Sequence, residues 1–124
     1  MELERPHVEK PEGDIPFELE VEDLVVGEGA EATSGTKVTV HYVGVAFSTG
    51  EEFDASWNRG QPLSFRLGVG QVIPGWDQGI AGMKVGGRRR LTIPPQLAYG
   101  DRGAGSAIAP GETLIFVVDL VDVR

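Results

Sequence analysis

Residues Val69 to Met83 (Val-Gly-Gln-Val-Ile-Pro-Gly-Trp-Asp-Gln-Gly-Ile-Ala-Gly-Met) hold the only plausible helix in a chain otherwise written as strands and turns. Pro74 suits a first helical turn, where a missing N–H is not needed. Trp76, Ile80 and Met83 recur at helical spacing and define one apolar face. Gly82 and the Gly86-Gly87 pair end it. A helix of about two turns is not stable alone. The rest of the chain must wrap around it.

That wrapper reads as sheet. Leu19 and Val21, alternating with Glu18, Glu20 and Glu22, predict a half-buried strand over Glu18–Val26. Thr36–Ala46 is the clearest strand, with Val38, Val40 and Tyr42 on one face and Thr39, His41 and Val43 on the other. Short strands follow at Glu52–Ser56 and at Leu63–Leu67, separated by Asn58-Arg59-Gly60. Beyond the helix, Arg88–Ile93 is a strand stopped by Pro94-Pro95. Gly100–Gly111 is a long loop rich in Gly and Ala, of a length that is often functional. Thr113–Val123 closes the chain as a long strand, with Leu114, Phe116, Val118 and Leu120 on one face. Four or five antiparallel strands covered by one helix make an α+β domain. Residues 1–17, rich in Glu and Pro, read as a flexible arm or loosely docked tail preceding a domain over 18–124.

Composition narrows the chemistry. A net charge of −8 disfavours nucleic acid and anionic membranes as partners. No cysteine is present, so disulfides and thiol nucleophiles are excluded. The two histidines, His7 and His41, form no metal-ligand cluster, and no metal is expected. Nothing before His7 resembles a signal peptide, and no segment reaches membrane-spanning length, so a soluble cytoplasmic protein is expected if Met1 is the native start.

Familiar catalytic patterns fail. Gly68-Val69-Gly70 begins like a dinucleotide fingerprint, but Ile73 stands where the third glycine belongs. Arg88-Arg89-Arg90 reads as a solvated strand start in an acidic protein. His41 lies mid-strand and reads as structural; Ser106 has no histidine that would nominate a triad. What stands out instead is a set of large apolar residues beside turns: Tyr42, Phe53, Val72, Ile73, Trp76, Tyr99, Ile108 and Phe116. Phe53-Asp54 sets a carboxylate beside an aromatic ring, and Tyr99 opens the long loop with a hydroxyl.

Several blocks now fall together. Val38-Thr39-Val40-His41-Tyr42, Phe53-Asp54-Ala55-Ser56, Leu67-Gly68 and Val72-Ile73-Pro74-Gly75-Trp76 occur in this order. Gly79, Gly82-Met83-Lys84-Val85-Gly86, Leu91-Thr92-Ile93-Pro94, Ala98-Tyr99-Gly100 and Thr113-Leu114-Ile115-Phe116 follow. From about Glu18 to Arg124 the chain resembles the FKBP-type peptidyl-prolyl cis–trans isomerases, in the form of a minimal single-domain bacterial member.

The resemblance implies a five- to six-stranded antiparallel half-barrel curled around the short helix. It implies rotation of Xaa-Pro peptide bonds during protein folding, without cofactor or covalent intermediate. Proline would enter an apolar cup with Trp76 as floor and Tyr42, Phe53, Val72, Ile73 and Phe116 as walls. Leu63 stands where the family often has Phe, and Gln71 where Glu is frequent. Ile108 belongs to the same set. Asp54 and Tyr99 would be the polar rim, with Arg59 placed to pair with Asp54 and Asp54 orienting Arg59 and Tyr99. The Ile73 N–H would bind a substrate carbonyl. Asp54, Tyr99, Ile73 and Phe116 are thus the expected catalytic set. Partners implied are proline-containing polypeptides and macrolides such as tacrolimus and rapamycin, with the protein acting as a monomer. A rim that keeps Asp54, Tyr99 and Arg59 beside Trp76 and Phe116 argues for turnover rather than binding alone.

Overall fold

The computed structural model describes residues 3–8 and 13–124. Six strands form one sheet: β1 (Glu20–Val25), β2 (Lys37–Ala46), β3 (Glu52–Ala55), β4 (Leu63–Arg66), β5 (Arg88–Ile93) and β6 (Leu114–Val123). Their order is β1-β5-β6-β2-β3, and β4 also pairs with β2; all pairs are antiparallel. The far edge of β2 is thus shared, Val43–Val45 against β3 and Lys37–Val40 against β4. One helix, α1 (Pro74–Ile80), lies across the concave face, as expected.

The alternation in β2 and β6 does what the pattern predicts. Val38, Val40, Tyr42, Phe116, Val118 and Leu120 join Trp76 and Ile80 in the main core. The opposite residues Val43, Val45 and Ile115 form a second, smaller cluster on the outer face with Phe47 and Ala55. His41 is structural there: it stacks on Trp57 with centroids 4.3 Å apart and hydrogen-bonds Ser56 Oγ at 2.9 Å.

The helix is shorter than its apolar spacing suggests. It ends at Ile80, and Met83 is buried from the following turn rather than from the helix. Gly75 and Gly79 face β5, and a Cβ on them would stand 2.5 Å from Ile93 Cγ2 and 2.7 Å from Leu91 Cδ2. Gly82 serves differently, since nothing lies near it and its φ is +93°. It turns the chain so that its N–H reaches the Ala32 carbonyl at 2.9 Å.

Two expectations are corrected. The first strand is not half-buried. All six residues of β1 are exposed, because β1 pairs only with β5 at the sheet edge, beyond the cover of α1. Arg88–Arg90 are not a solvated strand start. Arg88 Nε binds Asp119 Oδ1 at 2.6 Å on the outer face, and Arg89 Nε binds Asp23 Oδ1 at 2.7 Å. Arg89 Nη1 also donates to the Gly79 and Ala81 carbonyls, at 2.9 and 3.1 Å, and so satisfies the C-terminal end of α1. The long loop is ordered by backbone bonds: Ala104 and Ile108 exchange N–H···O contacts at 2.9 and 3.1 Å, and Gly111 N–H reaches the Gly100 carbonyl at 2.9 Å.

Candidate active site

A cavity of about 200 Å³ opens between the N-terminal end of α1 and the curled sheet. Its lining is Tyr42, Phe53, Asp54, Leu63, Gln71, Val72, Ile73, Trp76, Tyr99 and Phe116. Each element contributes by its own geometry. β2 supplies Tyr42, β3 supplies Phe53 and Asp54, β4 supplies Leu63 and β6 supplies Phe116. Trp76 comes from the first turn of α1, and Gln71 to Ile73 from the turn before it.

The floor is an aromatic nest. Around the Trp76 indole stand Tyr42 at 4.9 Å, Phe116 at 5.2 Å and Phe65 at 5.7 Å, centroid to centroid, with Tyr42 and Phe116 edge-on. Edge-on rings at these separations are the favoured arrangement. Trp76 Nε1 is buried without a hydrogen-bond partner among the described residues. Phe53 leans edge-on against Phe116 at 5.5 Å. Gly44 makes that lean possible, because a Cβ there would stand 2.7 Å from both Phe53 Cζ and Phe116 Cε1.

The rim holds a closed polar triangle. Tyr42 Oη donates to Asp54 Oδ2 at 2.6 Å, Arg59 Nη1 donates to Asp54 Oδ1 at 3.0 Å, and Arg59 Nη2 donates to Tyr42 Oη at 2.8 Å. Burial pushes the Tyr42 hydroxyl pKa up, its bond to Asp54 adds to this, and Arg59 opposes it. The expected Asp54–Arg59 pair is present, but the second partner of Asp54 is Tyr42 rather than Tyr99. Tyr99 stands 41% exposed, and its hydroxyl makes no hydrogen bond among the described residues. Reading Tyr42 only as an apolar wall missed this; no sequence pattern marks a hydroxyl bonded to the next strand.

The lip before α1 is held by α1 itself. Asp77 accepts from the Gly68 N–H at 2.8 Å and the Gly70 N–H at 3.0 Å, and Gln71 Oε1 accepts from Arg66 N–H at 2.9 Å. These bonds present Val72 and Ile73 to the cavity. The Ile73 carbonyl accepts the first bond of the helix from Trp76 N–H at 2.9 Å, whereas its own N–H has no backbone partner among the described residues. Asp77, in the first turn of a helix and following Gly68-x-Gly70, is a signal that sequence reading could have used.

Two expected residues are not in the wall. Arg59 acts from behind, through Asp54 and Tyr42. Ile108 is buried in the same main core as Tyr42, Trp76 and Phe116 but is not among the residues lining the cavity. A larger hollow of about 570 Å³ on the outer face is lined by Asp14, Glu20, Val21, Glu22, Arg90 and Thr92, with Phe47 as its single aromatic ring. Among the described residues no cluster of His, Cys, Asp or Glu could hold a metal ion.

An open antiparallel sheet curled around one helix, with an aromatic cup between them, defines the half-barrel class. The chain matches the FKBP-type peptidyl-prolyl cis-trans isomerases over residues 28–121 and belongs to that family. It is 67% identical to the FK506-binding protein of Streptomyces anulatus, covering 99% of this chain and 100% of that one. It is 51% identical to the peptidyl-prolyl cis-trans isomerase FPR2 of Saccharomyces cerevisiae, over 86% of this chain and 76% of that one. The crystal structure of AtFKBP13 superposes with a TM-score of 0.80 at 48% identity, covering 86% of this chain and 93% of that one. The chain is accordingly a peptidyl-prolyl cis–trans isomerase.

Proposed function

We propose that the cavity floored by Trp76 is where this isomerase turns Xaa-Pro bonds. The observation that carries the reading is its lining: seven ring or branched side chains around an indole, with no Ser, Thr, Cys, His or Lys among the lining residues. Its one carboxylate, Asp54, is engaged by Tyr42 and Arg59. Such a site chooses between shapes of the same amide.

That choice suffices. Rotating a peptide bond costs about 18–20 kcal/mol, because amide resonance is lost in the twisted form. The planar amide is the more charge-separated one, so an apolar cup favours the twisted amide over the planar. The pyrrolidine ring rests on Trp76, between Tyr42, Phe53, Leu63, Val72, Ile73 and Phe116. The Ile73 N–H and the Tyr99 hydroxyl hold substrate carbonyls on either side. Asp54, fixed by Tyr42 and Arg59, sets the field at the rim. Lowering the barrier by about 5 kcal/mol accelerates exchange by more than a thousandfold. No cofactor and no covalent intermediate enter.

Substrates are proline-containing polypeptides in folding. The same cup takes a macrolide such as tacrolimus or rapamycin, which makes the protein an immunophilin. At about 200 Å³ the cavity is smaller than the ~300–1,000 Å³ usual for drug-sized ligands. A macrolide therefore inserts one ring and spreads over the rim formed by Leu63, Val72 and Tyr99. The catalytic unit is taken as 18–124, preceded by the arm 1–17, and the working state as a monomer. Among the described residues no helix is long and apolar enough to cross a membrane.

The test is an exchange assay on a Xaa-Pro peptide, by NMR or protease coupling, with and without rapamycin. Turnover blocked by equimolar rapamycin is expected, together with peptide-induced shifts at the Trp76 indole. Turnover with shifts confined to other surfaces would place the site elsewhere.

A further inference from the structure

The stretch that brings Phe53, Asp54 and Arg59 to the cup is held from behind by the N-terminal arm. Arg5 forks across its two ends. Nη1 donates to Asn58 Oδ1 at 2.8 Å, and Nη2 pairs with the Glu52 carboxylate. Asn58 Nδ2 donates in turn to Glu52 Oε2 at 3.0 Å, closing a ring of three side chains. Glu52 directly precedes Phe53 and Asn58 directly precedes Arg59. The ring therefore spans the segment whose other face is the candidate site.

The arm is fixed on either side of Arg5. The Glu4 carbonyl accepts from Arg88 Nη2, and Val8 packs on the outer cluster of Val43, Val45, Phe47, Ala55 and Ile115. β2 holds the middle of this segment, Ser56 Oγ accepting from the Tyr42 N–H and Asp54 accepting from the Tyr42 hydroxyl, and the arm adds a hold at its two ends. β3 is four residues long and its register with β2 shifts between Gly44 and Val45. The 3₁₀ turn after it, Ser56–Arg59, has no side-chain cap at its start. Short elements with few bonds are the ones that open locally. A bond too weak to matter to the whole fold can still decide how long such a segment keeps its shape.

We propose that Arg5 is a positioning residue for the isomerase, acting through Glu52 and Asn58 on Asp54 and Arg59. The inference rests on the cup being the active site. It makes the arm part of the working enzyme rather than an appendage, and it gives Arg5 a role that no lining residue reveals.

The test is a double-mutant cycle on the full chain, kcat/KM on a Xaa-Pro peptide for wild type, Arg5→Gln, Asp54→Asn and the pair, well below the unfolding midpoint. Arg5→Gln is expected to lose about fivefold, the scale of one exposed ion pair. The pair is expected to be no slower than Asp54→Asn alone, because both changes relax the same triangle. Amide resonances of Phe53 to Arg59 should move in Arg5→Gln while those of β5 stay. An unchanged Arg5→Gln beside an impaired Asp54→Asn overturns the role of Arg5 alone. Losses that multiply, or a loss without movement at Phe53 to Arg59, overturn it too. An unchanged Asp54→Asn overturns the site reading and the proposal with it.

Discussion

Gly75 and Ile93 touch so closely that a Cβ on the glycine would stand 2.5 Å from Ile93 Cγ2, and Ile93 is fully buried. The helix sits on the sheet by having no side chain there. In an isolated helix, Gly→Ala is worth about 1 kcal/mol of stabilisation. Here overpacking against β5 opposes it at about 1–3 kcal/mol. Gly75→Ala is expected to destabilise by up to roughly 2 kcal/mol in urea unfolding, overpacking outweighing the helix propensity gained. A stabilised variant would show that α1 stands off the sheet.

Gly44 makes the equivalent room for Phe53 and Phe116 inside the cup. Gly44→Ala should push both rings into the cavity. We expect kcat/KM to fall about tenfold or more, corresponding to ~1.4 kcal/mol, and rapamycin affinity to fall with it. Undiminished activity would mean that these rings do not bound the site.

The raised Tyr42 pKa has a signed consequence. Burial and the bond to Asp54 make the folded state hold the phenolic proton more tightly than the unfolded chain does. The stability this contributes is complete below the ordinary tyrosine value of about 10 and is lost as pH rises through the folded value. Tyr42→Phe should be less stable at neutral pH by about 1 kcal/mol, through the lost hydrogen bond. It should also lose stability less steeply on the alkaline side. Urea unfolding from pH 8 to 11 checks both; equal alkaline slopes would discard the assignment.

Arg89 satisfies the helix end with two bonds to carbonyls and holds Asp23 as well. Arg90, next to it, makes no ion pair among the described residues. Arg89→Ala should cost about 2 kcal/mol, since its charge-assisted bonds go to half-buried carbonyls. Arg90→Ala should stay within about 0.5 kcal/mol. Equal losses would return the arginine run to a merely solvated role.

What the chain discloses in advance depends on the range of the physics involved. Alternation at Val38, Val40 and Tyr42 reports burial because one sheet face has one core. The same alternation holds at Leu19, which packs half-buried on the core, but misleads at Val21, because period two says nothing of a strand's place in the sheet, and β1 is the edge. The blocks around Tyr42, Phe53-Asp54, Val72 to Trp76 and Phe116 bring the cup lining into view together. Ile108 shares the core of those residues without reaching the cavity. The Asp54–Tyr42 bond, the Arg89 cap and the Arg5 fork join residues distant in sequence through side-chain reach, and no local pattern encodes reach.

The place of β6 has a consequence for the order of assembly. β6, which follows all the other strands of the sheet in sequence, lies between β5 and β2 and pairs with both along most of its length. Before residue 114 leaves the ribosome, β1 and β5 have no sheet connection to β2, β3 and β4. Tyr42 and Trp76 then lack Phe116, and there is no cup. Pairing residues so far apart in sequence is slow, on the order of milliseconds to seconds for sheets of this kind. An isomerase built this way acquires its cup only when one central strand joins two half-sheets.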